Sequence, residues 1–269
     1  MSEGQIVQET PLPRTRESLR HDLQEIGVVP GMTIIVHSSL RSIGWVSGGA
    51  VAVVQALLDA VTPESTIIVP THTSGYSNPA AWQAPPVPKE WWPIIYQTMP
   101  AFDPQVTPTE YMGKIVEVFR TWPGVLRSSH PTVSFAAWGK HAEYVVKGHT
   151  LAYGLGEGSP LARIYDLDGW ILMLGTSYDT NTSFHLAEYR VPEPVESLEG
   201  SPVLEDGIRV WKTYRDIEMD TSLFPELGAE FEQTGQVKIA RVGSAITRLV
   251  RQRAAVDFAV EWFMRRRNS

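Results

Sequence analysis

GWILMLGTSYDTNTSFHLAEY, residues 169–189, decides the fold. Trp170 to Leu174 is an unbroken apolar run of strand length, which suits a strand buried on both faces. At Gly175 the run breaks into a polar loop, and beyond it the residues read as a helix. Asn181 or Thr182 stands where a helix cap accepts a backbone N–H bond. The same change occurs twice earlier. GMTIIVHSSL (31–40) turns polar at His37, and STIIVPTHT (65–73) turns polar at Thr71. Between them lies GGAVAVVQALLDAV (48–61), a helix after a glycine pair. A strand–loop–helix–strand rhythm implies an α/β fold with a largely parallel central sheet and flanking helices. Ligands of such sheets bind beyond the carboxyl ends of the strands. His37, His72 and His185 all follow strand ends, so the pattern predicts a shared rim.

Outward from these segments, TRESLRHDLQEIG (15–27) places Leu19, Leu23 and Ile26 on one helical face and stops at Gly27. Residues 73–112 are rich in proline and aromatic side chains and lack periodicity, so they form a long irregular excursion whose rings are candidates for a ligand-binding wall. SPVLEDGIRVWKTYRD (201–216) reads as a hairpin turning at EDG, within an acidic region of about 195–235. GSAITRLVRQRAAVDFAVEWFMRRR (243–267) reads as a final amphipathic helix with a basic end. Residues 1–14 are polar and expected to be loose. Residues 15–269 read as one composite domain, or as two tightly joined lobes.

With 269 residues and 43% hydrophobic content, the chain can bury a sizeable core. A net charge of −7 argues against nucleic-acid binding, which needs a basic footprint. Cysteine is absent, so disulfides, thiolate metal sites and a cysteine nucleophile are excluded. The N-terminus carries no apolar signal core, and no apolar run spans a membrane. A cytoplasmic protein without nucleic-acid or membrane partners is expected.

Four segments can carry chemistry. In NTSFHLAEY (181–189), His185 and Glu188 share a helix face at i, i+3 spacing. A carboxylate there can fix the tautomer of a general base. The same spacing also describes a packed histidine with Glu188 in solvent. VHSSLRSIG (36–44) places hydroxyls and backbone donors before a glycine pair, a turn able to cradle phosphate oxygens. RSSHPTVSFAAWG (127–139) adds Arg127, suited to an anion, with Ser128, Ser129 and His130. GEGSPLARI (156–164) is a glycine-rich loop ending at a helix start.

Taken in order, VHSSLRSIG, FDPQVTPTEYMGKIVEVFR (102–120), RSSHPTVSFAAWG, GEGSPLARI and LMLGTSYDTNTSFHLAEY resemble the aminoglycoside 3-N-acetyltransferases, a family distinct from acetyltransferases of the GNAT fold. The likeness covers residues 15–190 and continues more loosely to 263. It implies acetyl transfer from acetyl-coenzyme A, as co-substrate, to the 3-amino group of a 2-deoxystreptamine aminoglycoside, which confers resistance. It implies His185 as general base, Glu188 as its partner, and the hydroxyl of Thr182 or Ser183 near the tetrahedral intermediate. His37, Ser38, Ser39, Leu40, Arg41, Ser42, Arg127, Ser128 and Ser129 are then expected around the coenzyme. His72, Asp103, Asp179, Asp216 and Asp220 are expected around the cationic acceptor, in a pocket formed by the irregular excursion. No metal is implied, and the oligomeric state is unspecified. Other readings are an acetyltransferase for another amino sugar or amine, a metal-dependent hydrolase using His37, His72, His130 and His185 with Asp103 or Asp179, and a non-catalytic polycation binder.

Overall fold

The computed structural model describes residues 2–267. Helices α1 (Glu3–Glu9) and α2 (Arg16–Ile26) precede strand β1 (Thr33–Ser38), the short α3 (Leu40–Ile43), α4 (Gly49–Val61) and β2 (Thr66–Pro70). The excursion then holds single helical turns and α5 (Trp92–Thr98). Next come α6 (Gly113–Arg120), β3 (Leu126–Arg127), β4 (Phe135–Gly139), α7 (Ala142–Val146), α8 (Pro160–Asp166), β5 (Trp170–Leu174) and α9 (Ser183–Arg190). The hairpin β6 (Glu196–Glu205) and β7 (Ile208–Ile217) leads to α10 (Phe224–Glu232), β8 (Lys238–Val242), β9 (Ala245–Arg251) and α11 (Gln252–Arg267).

Seven strands form one sheet in the order β3-β4-β2-β1-β5-β9-β8, and β6-β7 form a separate antiparallel pair. The α/β class with flanking helices is as expected, but parallel pairing is confined to β1 with β2 and β1 with β5. The other four pairings of the large sheet are antiparallel. Its outer strands therefore make it mostly antiparallel. Only the three strands with long crossovers are parallel, whereas β8 and β9 join through a tight turn at Gly243 and Ser244. AITRLVR (245–251), expected as helix, is β9. Its β-branched residues Ile246, Thr247 and Val250 suit a pleated strand better than a helix. Residues expected to be loose at the start form α1, capped reciprocally by Ser2 and Gln5, although none of its side chains is buried. Arg14 pairs with Val46, tying this segment to the body.

The apolar runs are continuous because both faces of the sheet are covered. Ile34, Val36, Ile67, Val69, Leu172 and Leu174 pack toward α2, α4 and α6. Ile35, Ile68, Ile171 and Met173 alternate with them and pack toward α7, α8, α9 and α11. The basic end of α11 completes an ion pair, Arg266 with Glu226, and its cations suit a helix C-terminus; the last two residues of the sequence lie outside the described residues. The hairpin turns through Asp206 (φ 52°) and Gly207 (φ 79°), as the EDG signal predicts for a two-residue primed turn.

Helix α10 lies against the loop that follows β5. A methyl group at Gly228 would stand 2.0 Å from Tyr178 Cγ. Gly228→Ala is therefore expected to cost about 1–3 kcal/mol through overpacking. A thermal unfolding scan checks this, with each kcal/mol lowering the midpoint by about 2–4 °C.

Candidate active site

The three parallel strands end at one edge, and a cleft of about 300 Å³ opens over them. His37 and Ser38 come from the end of β1, His72 from just past β2, and Thr176, Asp179, Thr180, Thr182 and His185 from the loop and helix after β5. The expected histidine rim is present. Pleating sets its two sides: His37 continues the face of Ile35, and Ser38 that of Ile34 and Val36.

His185 Nδ1 lies 2.5 Å from Glu188 Oε2. Because a carboxylate accepts, Nδ1 carries the proton and Nε2 is left as the basic nitrogen. The other carboxylate oxygen accepts the Asp220 backbone N–H at 3.3 Å. The ring rests on Phe224 of α10 at 4.9 Å between centroids. Glu188 is thus no solvated bystander: its side chain is only 14% exposed. Asn181 Oδ1 accepts the Ser183 N–H at 3.3 Å, so Asn181 meets the start of α9 and the Thr182 hydroxyl makes no capping bond. Thr182 lines the cleft, whereas buried Ser183 receives a bond from Gln252 Nε2 at 3.1 Å. Of the two hydroxyl residues, Thr182 alone lines this cleft.

Burial without a carboxylate partner holds two further imidazoles neutral. It pushes His37 down to about 4 and His72 to about 3, with smaller contributions to His72 from nearby His185 and His37. Among the described residues, His37 Nε2, Ser38 Oγ, His72 Nε2 and Thr176 Oγ1 are buried without a hydrogen-bond partner.

A second cleft, of about 530 Å³, adjoins the first. Ser38, Tyr111 and Met112 line both. Ser38, Ser39, Leu40 and Arg41 form one wall, with Ser42 Oγ donating to Ser39 Oγ at 2.9 Å. Opposite stand Tyr111 to Ile115, and Glu3 and Ile6 of α1 close one end. Sequence reasoning missed Tyr111, Met112, Lys114 and α1. One signal was available: Lys114 sits in the first turn of α6, where the helix dipole disfavours a cation unless an anion joins it.

Several expected site residues are placed elsewhere. Arg127 lines neither cleft. Its Nε donates to Thr71 Oγ1 and Ser134 Oγ, both at 3.1 Å, Nη1 to Thr107 O at 2.5 Å, and Nη2 to Thr71 O at 2.8 Å. The guanidinium is used up in fastening residues 104–107 to the end of β2. Ser128 Oγ accepts from Phe135 N at 2.9 Å and bonds His149 Nδ1 at 3.0 Å. Ser129 and His130 line a separate cleft beside the hairpin. Asp103 caps its own turn, accepting from Gln105 N at 2.8 Å. Asp216 is buried and bound to Tyr189 Oη and the N–H groups of Gly154 and Ile217. The Asp220 carboxylate caps Ser222. Of the expected acidic residues, Asp179 alone reaches the histidine cleft, and it is exposed at its mouth. Trp82, Trp91 and Trp92 of the excursion do not line that cleft. Among the described residues, no group of three His, Asp or Glu is placed to hold a metal ion, and no helix is long and apolar enough to cross a membrane.

Residues 35–264 match the family model described as aminoglycoside 3-N-acetyltransferase. The chain is 50% identical, over 260 residues and 96% of both chains, to the SPbeta prophage-derived aminoglycoside N(3')-acetyltransferase-like protein YokD of Bacillus subtilis (strain 168). Its fold is similar to the crystal structure of YokD, with a TM-score of 0.98, 48% identity and 99% of both chains covered. It is also similar to AAC-IIIb in binary complex with CoASH (TM-score 0.85, 31% identity, 95% of this chain and 98% of that one). AAC-VIa bound to sisomicin matches with a TM-score of 0.86 and 30% identity, over 95% of this chain and 99% of that one.

Two outcomes follow from this geometry. Arg127→Met is expected to destabilise the fold by about 2–4 kcal/mol, because buried acceptors lose a charged donor. It is expected to leave the Kd of coenzyme A unchanged; denaturant unfolding and calorimetric titration check the two halves. Second, His37, His72 and His130 stay neutral in the folded protein to about pH 4, 3 and 4, against an ordinary value of 6.5 in the unfolded chain. Below pH 6.5 the unfolded chain binds protons that the folded one does not. Stability should therefore fall with falling pH, by up to about 1.4 kcal/mol per pH unit for each group. Urea unfolding at pH 7, 6 and 5 measures this; equal stability at all three contradicts it.

Proposed function

The chain belongs to the aminoglycoside 3-N-acetyltransferase family, and on that premise we propose that it transfers the acetyl group of acetyl-coenzyme A to the 3-amino group of a 2-deoxystreptamine aminoglycoside. The observation that carries this reading is a carboxylate-held imidazole facing the junction of two clefts. The larger cleft takes the coenzyme. Its Ser38–Arg41 turn offers hydroxyls and backbone donors, with Ser42 behind it bonded to Ser39, and Arg41 and Lys114 offer positive charge for phosphate groups. The smaller cleft takes the acceptor, with Asp179 at the mouth drawing in ammonium groups.

Only an uncharged amine can attack a thioester. His185 Nε2 takes the proton that the nucleophilic nitrogen loses on attack, and Glu188 stabilises the resulting imidazolium through Nδ1–H. The nitrogen forms a bond to the thioester carbon, and Thr182 lies on the side of the intermediate. Collapse breaks the carbon–sulfur bond, and the imidazolium returns a proton to the departing thiolate. Ser38 Oγ has no hydrogen bond to a base that would activate it, and the sequence contains no cysteine. Transfer is therefore direct, within a ternary complex. Acetylation removes one positive charge from the drug and with it the drug's action, which confers resistance. We place the reaction in the cytoplasm, where acetyl-coenzyme A is made.

The test is thiol release from acetyl-coenzyme A with aminoglycosides that have, or lack, a free 3-amino group. Turnover is expected only with the former. His185→Ala should lower kcat by about 10²–10⁴-fold while coenzyme binding persists. Near-wild-type turnover by that variant, or an acetylated protein formed without acceptor, contradicts the mechanism.

A further inference from the structure

The smaller cleft contains more polar machinery than base, partner and acceptor require. His37 Nε2, Ser38 Oγ and His72 Nε2 all line it, all are buried, and none has a hydrogen-bond partner among the described residues. Leaving a buried polar atom unsatisfied costs about 1–3 kcal/mol, so three at one strand edge signal a ligand group that completes them. They stand at the ends of β1 and β2, and Ser38 also lines the coenzyme cleft. A thioester passing from that cleft toward His185 must bring its carbonyl past Ser38.

We infer that Ser38, His37 and His72 form the pocket for the acetyl carbonyl oxygen, each donating a hydrogen bond that strengthens as negative charge develops there. This rests on the acetyltransferase reading above and adds catalytic residues to it. A carbonyl oxygen accepts only, so each partner must supply a proton, and a neutral imidazole always carries one N–H. The cleft separates two kinds of imidazole. His185 has Glu188 to stabilise its charged form, whereas His37 and His72 have no carboxylate partner and are kept neutral by burial. A ring in that state does not compete for the amine's proton but can polarise a carbonyl. In the transition state the thioester π pair moves onto oxygen as the nitrogen–carbon bond forms, and the three donors meet that oxyanion. On collapse the pair returns as the carbon–sulfur bond breaks. Pre-aimed donors of this kind act on kcat more than on binding.

The test uses acetyl-coenzyme A carrying ¹³C at the carbonyl, bound without acceptor and read by isotope-edited infrared spectroscopy. The carbonyl band of the bound thioester is expected at lower frequency than in solution, both in wild type and in His185→Ala. His72→Phe and Ser38→Ala should each return the band toward its solution position and lower kcat by about 10²–10³-fold, with little change in coenzyme Kd. His72→Gln, which keeps a neutral donor, should retain part of both effects. His37→Gln and His37→Phe repeat the comparison at β1, and circular dichroism confirms that each variant is folded. A bound carbonyl at its solution frequency, or variants that leave band and kcat unmoved, overturns this inference alone. Failure of acetyl-coenzyme A to bind overturns it together with the acetyltransferase reading.

Discussion

Parallel pairing of β1 with β2 on one side and β5 on the other brings three strand ends to a single edge, and the site depends on that constraint. Each of these strands is buried on both faces, so polar side chains are expelled to the ends. There the pleat distributes them. His37 and Ser38, adjacent in sequence, leave β1 from opposite faces, and at the strand end both border the histidine cleft, Ser38 bordering the larger cleft as well. Ser38 is consequently the residue through which the two clefts communicate, with Tyr111 and Met112 arriving from the excursion to complete the junction. The antiparallel strands outside this core contribute no rim residue; Arg127 of β3 bonds Ser134, the residue before β4, and β9 covers the far side of β5.

The second element is the hold on His185. Glu188 is itself gripped by the Asp220 backbone N–H, and Phe224 supports the imidazole, so the segment after the hairpin positions a histidine on another helix. Asp220 therefore reaches the site through its backbone, its carboxylate being engaged with Ser222. This arrangement gives one imidazole a counter-charge and denies it to two others, so that three chemically identical side chains differ in how readily they take up a proton.

Much of this was legible in the sequence because it is local. The apolar runs at 34–36 and 170–174, the breaks into His37 and Thr176, the i, i+3 pair at 185 and 188 and the turn at 206–207 all have short-range signatures. What was not legible depends on contacts distant in the chain. Arg127 beside two serines has the look of an anion ligand, yet its acceptors come from residues 71, 104, 107 and 134. Asp216 is expected beside the cationic acceptor, yet it is enclosed by Tyr189 and Gly154. Residues 245–251 have an amphipathic pattern that reads as helix when joined to α11, and only pairing with β5 and β8 fixes them as a strand. The wall formed by α1 has only the Ser2–Gln5 capping box as a local signature, and a seven-residue helix with no buried side chain forms only where the body anchors its end.

The central claim is that one junction, lined by Ser38, Tyr111 and Met112, brings thioester and amine together beneath His185. A crystal structure of the ternary dead-end complex with coenzyme A and an aminoglycoside tests it most directly. The account requires the coenzyme sulfur at that junction and the 3-amino nitrogen within about 3 Å of His185 Nε2, or one water away. A sulfur outside the junction, or a 3-amino group turned away from His185, would contradict it.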